Sequence, residues 1–439
     1  MSDYIFMLES HLSTDQSRAV EVVQAAATQA NLNVFLVGGA MRDMLGGYRI
    51  RDLDFVVEGN ALKTAKAVAE QGGARIVSED DHRKSAELVF PSGVTLQIAM
   101  SRQLRYPRSG GKPQVSAATI QEDLRGRDFT CNALALSLTR ASRGLLLDPL
   151  NGLADIERRE LRLAGPYGLY DDPCRLLRLV RFQVRLGFAI EERTQLQVAN
   201  ARQAEVEKLI PAHALGEELQ RIGLEDNPGE ILRALEQAGL LALFSPALAG
   251  PKLNAQGFAK FEKIVRLTPD EPRFRAARMG TFFYALTEKL TPKEKAALVR
   301  STELPKAEVD RWAKLETRAR KLETALRAPR IRKASHVYFL VLRAEPDEIL
   351  FLLYHSSYKP VQERLRNYFQ KYAPAVQEIT AEEWATLNGQ GTPRRSMEKI
   401  REDFIANRLD RRPPKPPPPP LEPPPPPVVE TSSGFRRAR

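Results

Sequence analysis

Cysteine and histidine are scarce. The 439 residues hold two cysteines, Cys131 and Cys174, and five histidines. Two thiols with no Cys-x-x-Cys spacing exclude a disulfide scaffold and a cysteine-rich zinc site. The histidines His11, His82, His213, His336 and His355 form no cluster, and His82 reads as a loop residue rather than a ligand. Long apolar runs are absent too, and nothing approaches the roughly 20 residues that span a bilayer. The opening Met1-Ser-Asp-Tyr-Ile has no basic segment leading into an apolar one. That predicts no signal peptide and a cytoplasmic protein.

What is present is globular. Hydrophobic residues make up 43% and charged residues 28%, enough to bury a core. At roughly 100–200 residues per domain the length predicts two to four domains. Lys and Arg total 66 against 55 Asp and Glu, a net charge of +11. A basic excess fits a polyanionic partner, above all nucleic acid, or serves solubility alone.

Composition shifts along the chain. Strand-like runs gather before residue 140, at Val34–Val37, Leu53–Val57, Ala86–Phe90 and Val94–Met100. Helical patterns at Asp15–Gln29 and Ala61–Gln71 lie between them, an α+β arrangement. From about Leu145 helical patterns dominate, including Cys174–Leu186, Ala214–Ile222 and Pro228–Leu243. Residues 413–427 then hold twelve prolines in fifteen positions. Proline donates no N–H and has a fixed φ, so residues 411–439 are expected as a disordered, extended tail. Any partner of that tail is unknown.

The chemistry concentrates in two neighbouring runs. In Arg51-Asp-Leu-Asp-Phe-Val-Val57, Asp52 and Asp54 are two apart on a strand and project to one side. Paired carboxylates repel unless a cation lies between them, and magnesium is the natural occupant. Two such ions would activate a hydroxyl and neutralise a departing pyrophosphate. A solvated strand edge is the alternative. The preceding run, Val34-Phe-Leu-Val-Gly-Gly-Ala-Met-Arg-Asp43, is a strand ending in a glycine pair where a helix opens. Gly38 and Gly39 let backbone approach a phosphate closely. Arg42 sits in the first helical turn, within reach of a triphosphate, and Asp43 holds the local turn.

Gly38-Gly39-x-x-Arg42-Asp43 followed by Asp52-Leu-Asp54 resembles the head of the class II tRNA nucleotidyltransferase and bacterial poly(A) polymerase family, within the polymerase-β-like nucleotidyltransferases. Three later blocks agree in order and spacing. Glu122–Ala135 resembles the family's Arg-Arg-Asp-Phe-Thr-x-Asn-Ala motif, which implies that Arg127, Asp128 and Asn132 face the nucleotide. Asp148-Pro-Leu-Asn-Gly152 with Arg162 resembles the hinge between head and neck. Asp171-Asp-Pro-Cys-Arg175 resembles the Glu-Asp-x-x-Arg motif, implying that Asp172 and Arg175 read the incoming base without a template. The residues alone also fit a helix cap with an intrahelical ion pair. Arg178, Arg181 and Arg185 continue that helix as candidate phosphate contacts, or as a solvated face.

The resemblance implies a nucleotidyltransferase head at 1–144, a helical neck at 145–225 and a helical body and tail at 226–410. It covers residues 33 to 244 best. Three departures stand out. Gly126 replaces the first Arg of its motif. Gln97 stands where relatives carry an acid, with Glu87 on the next strand as a possible substitute. The segment Glu79–Ala86 replaces a flexible loop linked to base choice. The implied activity is template-independent addition of C, A or both to tRNA 3′ ends from CTP and ATP, with Mg²⁺. Poly(A) polymerase and a non-catalytic RNA-binding homologue are the alternatives.

Overall fold

The computed structural model describes residues 3–269, 271–387 and 396–411. The proline-rich tail lies outside them. Helices α1 (Asp3–His11) and α2 (Thr14–Gln29) precede the first strand. Ser13 opens α2 with a capping box, its hydroxyl accepting from the Gln16 N–H while the Gln16 side chain accepts from Ser13 N–H.

A mixed sheet follows. Its strands are β1 (Val34–Val37), β2 (Leu53–Val57), β3 (Arg75–Asp80), β4 (Ser85–Val89), β5 (Thr95–Met100), β8 (Ala135–Ser137) and β9 (Leu146–Leu147). Their spatial order is β3-β4-β5-β2-β1-β8-β9. β2 and β5 pair in parallel and the other neighbours are antiparallel. β6 (Arg102–Arg105) and β7 (Gln114–Ala117) form a separate two-stranded ribbon.

Both faces of the central strands are covered, which is why β1 reads as an unbroken apolar run. Val34, Leu36, Phe55 and Val57 join the main core with α2 and α4 (Ala61–Gly72). Phe35, Val37 and Val56 face the other way and pack on Ile120 and Leu124 of α5 (Ile120–Arg125). Asp54 shares that second face by period-two alternation. The short helix α3 (Gly39–Leu45) follows β1 directly.

Beyond the sheet the chain is almost wholly helical. Helices α6 (Gly152–Arg158), α7 (Gly168–Asp171) and α8 (Arg175–Leu186) stand against the sheet domain. Then come α9 (Glu192–Gln203), α10 (Ala212–Leu224), α11 (Pro228–Gln237), α12 (Ala255–Leu267) and α13 (Pro272–Thr287). Phe258, Phe261, Phe274, Phe282 and Phe351 fill the core of the later helices. Among the described residues no helix is long and apolar enough to cross a membrane.

Two expectations change. The pattern at Pro228–Leu243 is not one helix. It stops at Gln237, Gly239 turns the chain at φ +67°, and Leu241–Leu243 forms a separate short turn. Glu79–Ala86 is not a loop throughout, since Glu79 and Asp80 end β3 and Ser85 and Ala86 begin β4. The two polar strands β6 and β7 carry no apolar alternation that the sequence would reveal.

Candidate active site

The site starts where β1 runs out. Gly38 adopts φ +65° and ψ −122°, a region nearly closed to L side chains. A Cβ there would lie 3.6 Å from Arg127 Nη1 and 3.9 Å from Asp54 Oδ2. One at Gly39 would lie 4.0 Å from Asp54 Oδ2. The glycine pair thus forms a bare backbone floor against which a carboxylate and a guanidinium converge.

Asp54 is half-buried and Asp52, just before β2, is exposed. Burial pushes the Asp54 carboxyl up to about 6, and the Asp52 charge adds to this against the opposing pull of Arg127, Arg42 and Arg221. Two neighbouring carboxylates supply hard oxygen donors, which suit a divalent cation such as magnesium. The donor set therefore fits a metal. Only these two acids contribute: among the described residues no group of three or more His, Cys, Asp or Glu could hold one. Gln97 lies beside Asp54 in the β2–β5 register, and Glu87 lies beside Gln97 in turn. Glu87 is thus two strands, about 9–10 Å, from Asp54. It does not replace the missing acid.

Arg127 is clamped by Asp123, whose Oδ1 accepts from Nε at 2.8 Å and Nη2 at 2.6 Å. The buried Asp128 carboxylate accepts from Phe129 N–H and Asn132 Nδ2 and pairs with Arg178 at 3.0 Å. Despite the opposing cost of burial, the guanidiniums of Arg178 and Arg175 and those hydrogen bonds hold it well below the usual carboxylate range. Asn132 Oδ1 in turn accepts from Arg42 Nη1 at 2.6 Å.

Three arginines are already paired within the protein. Arg42 is buried, donates to Asp43 Oδ1 and Asn132 Oδ1, and lies over the Phe182 ring. It braces the turn, with Nη2 3.6 Å from where a Cβ at Gly39 would sit, beside Asp54. Arg181 is buried between Glu218 at 2.5 Å and Glu225 at 3.0 Å. Arg185 reaches Asp43 at 3.1 Å. The arginine face of α8 is therefore not a solvated phosphate-binding stripe, because carboxylates of the sheet domain and of α10 already occupy it.

At the α8 end, Arg175 donates Nη1 to the Arg127 carbonyl and Nη2 to the Gly126 carbonyl, both at 3.1 Å. Its Nε lies 3.8 Å from Asp172 Oδ2, and Asp172 Oδ1 accepts from Cys174 N–H. Asp172 stays partly open, so the local cap and the inter-domain contact coexist. Asp148 shapes its turn as expected, accepting from the N–H groups of Gly152 and Leu153.

Residues 34–162 match the family model of the poly(A) polymerase head domain. The A-adding tRNA nucleotidyltransferase of Geobacter sulfurreducens is 27% identical over 403 residues, covering 89% of this chain and 45% of that protein. The CC-adding tRNA nucleotidyltransferase of Deinococcus radiodurans is 36% identical over 204 residues, 46% of this chain and 53% of that protein. A solved CCA-adding enzyme in an apo form superposes with a TM-score of 0.54 at 25% identity, covering 93% of this chain and 95% of that one. Residues 34–162 thus resemble that family's head domain, and the chain is similar over most of its length to tRNA nucleotidyltransferases. It spans about half or less of the length of the curated relatives it matches.

Sequence reasoning missed two residues of this site. Asp123 precedes Arg127 by four residues, a helical spacing that could have revealed their pairing. Arg275, on α13, lies 3.4 Å from Asp52 Oδ1 across a separation of 223 positions, with no signal in the sequence.

Proposed function

We propose that this chain transfers a nucleotide from CTP or ATP to the 3′ end of tRNA. The observation that carries the reading is the convergence of Asp54 and Arg127 on the Gly38–Gly39 floor, with the Asp52 charge acting on Asp54. Asp52 and Asp54 would hold Mg²⁺. The metal, when bound, lowers the barrier by polarising the attacking hydroxyl and neutralising the triphosphate. The backbone at Gly38–Gly39 lies against the triphosphate, and Arg127, braced by Asp123, faces its charge. The terminal ribose oxygen forms a bond to the α-phosphorus, the bond to pyrophosphate breaks, and the hydroxyl proton passes to water.

Asp172 is the base-reading group. Its carboxylate accepts from the exocyclic amine that cytosine and adenine share and that uracil lacks. Arg175 holds Asp172 beside the Arg127 block and offers its Nε–H. The basic helical remainder grips RNA through phosphates and shape. A relative aligned over 89% of this chain is named A-adding, which favours addition of the terminal A. The acceptor makes the cytoplasm the proposed place of work.

The test uses three tRNA transcripts, ending at the discriminator base, after C and after C-C. Each receives Mg²⁺ with CTP, ATP or both, and products are resolved to one nucleotide. One A added to the C-C transcript, then a stop, supports the reading. Long A tails on any RNA would instead mark a poly(A) polymerase. No addition anywhere would leave an RNA-binding homologue without catalysis.

A further inference from the structure

A helix distant in sequence reaches the proposed metal site. Helix α13 belongs to the later helical region, yet its first turns press on the sheet domain. Pro272 lies against Gly93 in the β4–β5 turn, 3.6 Å from where a Cβ would sit. Arg278 reaches Asp226 at 3.3 Å, and Asp226 also receives Arg51, the neighbour of Asp52, at 2.5 Å. Arg275, one turn before Arg278, reaches Asp52 Oδ1 at 3.4 Å.

This arrangement places a guanidinium on one of the two carboxylates that the proposed function gives to the metal. Asp52 cannot serve both cations at full strength, because each draws on the same oxygen charge and the two cations repel. The Arg275 side chain is about 20% exposed and the Asp52 side chain about 65%, so solvent and ions reach the pair from the Asp52 side. Once the metal takes Asp52, the displaced guanidinium is left beside the two carboxylates. The acceptor strand, a polyanion, must pass there to bring its terminal hydroxyl to the α-phosphorus. Guanidinium binds phosphate through paired N–H donors.

Resting on the proposed nucleotidyl transfer, we propose that Arg275 is a positioning residue that neutralises Asp52 in the metal-free protein and passes to the terminal phosphodiester of the RNA when the metal binds. Helix α13 thereby couples metal loading to acceptor placement. Arg275 acts through Asp52 and the RNA backbone, not on the reacting atoms.

The test begins without substrate. Mn²⁺ binding to the full chain is followed by electron paramagnetic resonance for wild type, Arg275→Gln, Arg275→Lys and Asp52→Asn. Arg275→Gln should bind Mn²⁺ about three- to fivefold more tightly, the scale of an exposed ion pair, and Arg275→Lys should stay near wild type. Unchanged or weaker Mn²⁺ binding in Arg275→Gln overturns the inference. Wild-type binding by Asp52→Asn would instead remove the metal site itself, and with it the proposed function. A second arm measures extension at saturating Mg²⁺. Arg275→Gln should raise KM for the tRNA about tenfold with kcat largely kept, and Arg275→Lys should recover much of the loss. An unchanged KM overturns the transfer to RNA. Circular dichroism confirms folding, with Arg275→Met as the second variant should the glutamine not fold.

Discussion

Replacing Arg178 by Met should loosen the joint between sheet domain and neck in a pH-dependent way. Arg178 pairs with Asp128 at 3.0 Å. Asp128 keeps two other donors, Phe129 N–H and Asn132 Nδ2. Removing one partner of a buried ion pair costs about 3–5 kcal/mol because a charge is stranded. The Arg178 side chain is 26% exposed, so solvent shares part of its role. With the two remaining donors, the expected loss at pH 7 is about 2–3 kcal/mol. The sign with pH follows from the direction of the Asp128 shift. A carboxyl held below its ordinary value stabilises the fold above the unfolded pKa, near 4, and loses that contribution as pH falls through the lower folded value. Deleting Arg178 raises the folded pKa, so the gap between wild type and variant should shrink below about pH 4. Urea unfolding followed by circular dichroism at pH 7, 5 and 3.5 measures it. In an Asp128→Asn background the same deletion should cost far less. A gap under about 0.5 kcal/mol at pH 7, or one that is constant with pH, would refute the reasoning.

Other outcomes follow from the same geometry. Because the folded Asp54 pKa is raised to about 6, the metal-free fold loses stability as pH rises from about 4 to 6. Asp54→Asn should therefore melt higher than wild type at pH 8 without metal, while wild type gains from Mg²⁺ at pH 8 and little at pH 5, as differential scanning fluorimetry would reveal. Gly126→Ala should stabilise by about 0.4–1 kcal/mol. Its φ is −84° and a Cβ would stand 3.4 Å from the Asp123 carbonyl, so a melting temperature below wild type would contradict this. Gly168→Ala places a Cβ 2.7 Å from Arg175 Nη1. It should push the guanidinium off the Gly126 and Arg127 carbonyls, at about 1–2 kcal/mol. Faster amide exchange in residues 172–178 would show it.

The sheet was legible where apolar runs were strong. Val34–Val37 and Leu53–Val57 are buried on both faces, and continuous β-branched and aromatic residues marked them. β3, with the burial of a mostly exposed edge, and the ribbon β6–β7 left no such trace. The glycine turn and the two aspartates were legible because their types and spacing are chemical requirements. The roles of Arg42, Arg178 and Arg181 were not. Their partners Asn132, Asp128, Glu218 and Glu225 lie from 37 to 90 positions away, and an arginine on a helix looks the same whether it meets solvent or a buried carboxylate. Arg275 at Asp52 is the extreme case, set by how a distant helix docks.

The most direct test of the central claim compares wild type with Asp52→Asn on one tRNA transcript ending in C-C. Filter binding in Mg²⁺ measures affinity for the RNA, and extension with ATP and Mg²⁺ measures transfer. The account predicts a single added A by wild type, none by Asp52→Asn, and equal RNA affinity for both, since the substitution removes a metal ligand and leaves the basic surface intact. Full-rate addition by Asp52→Asn would contradict it.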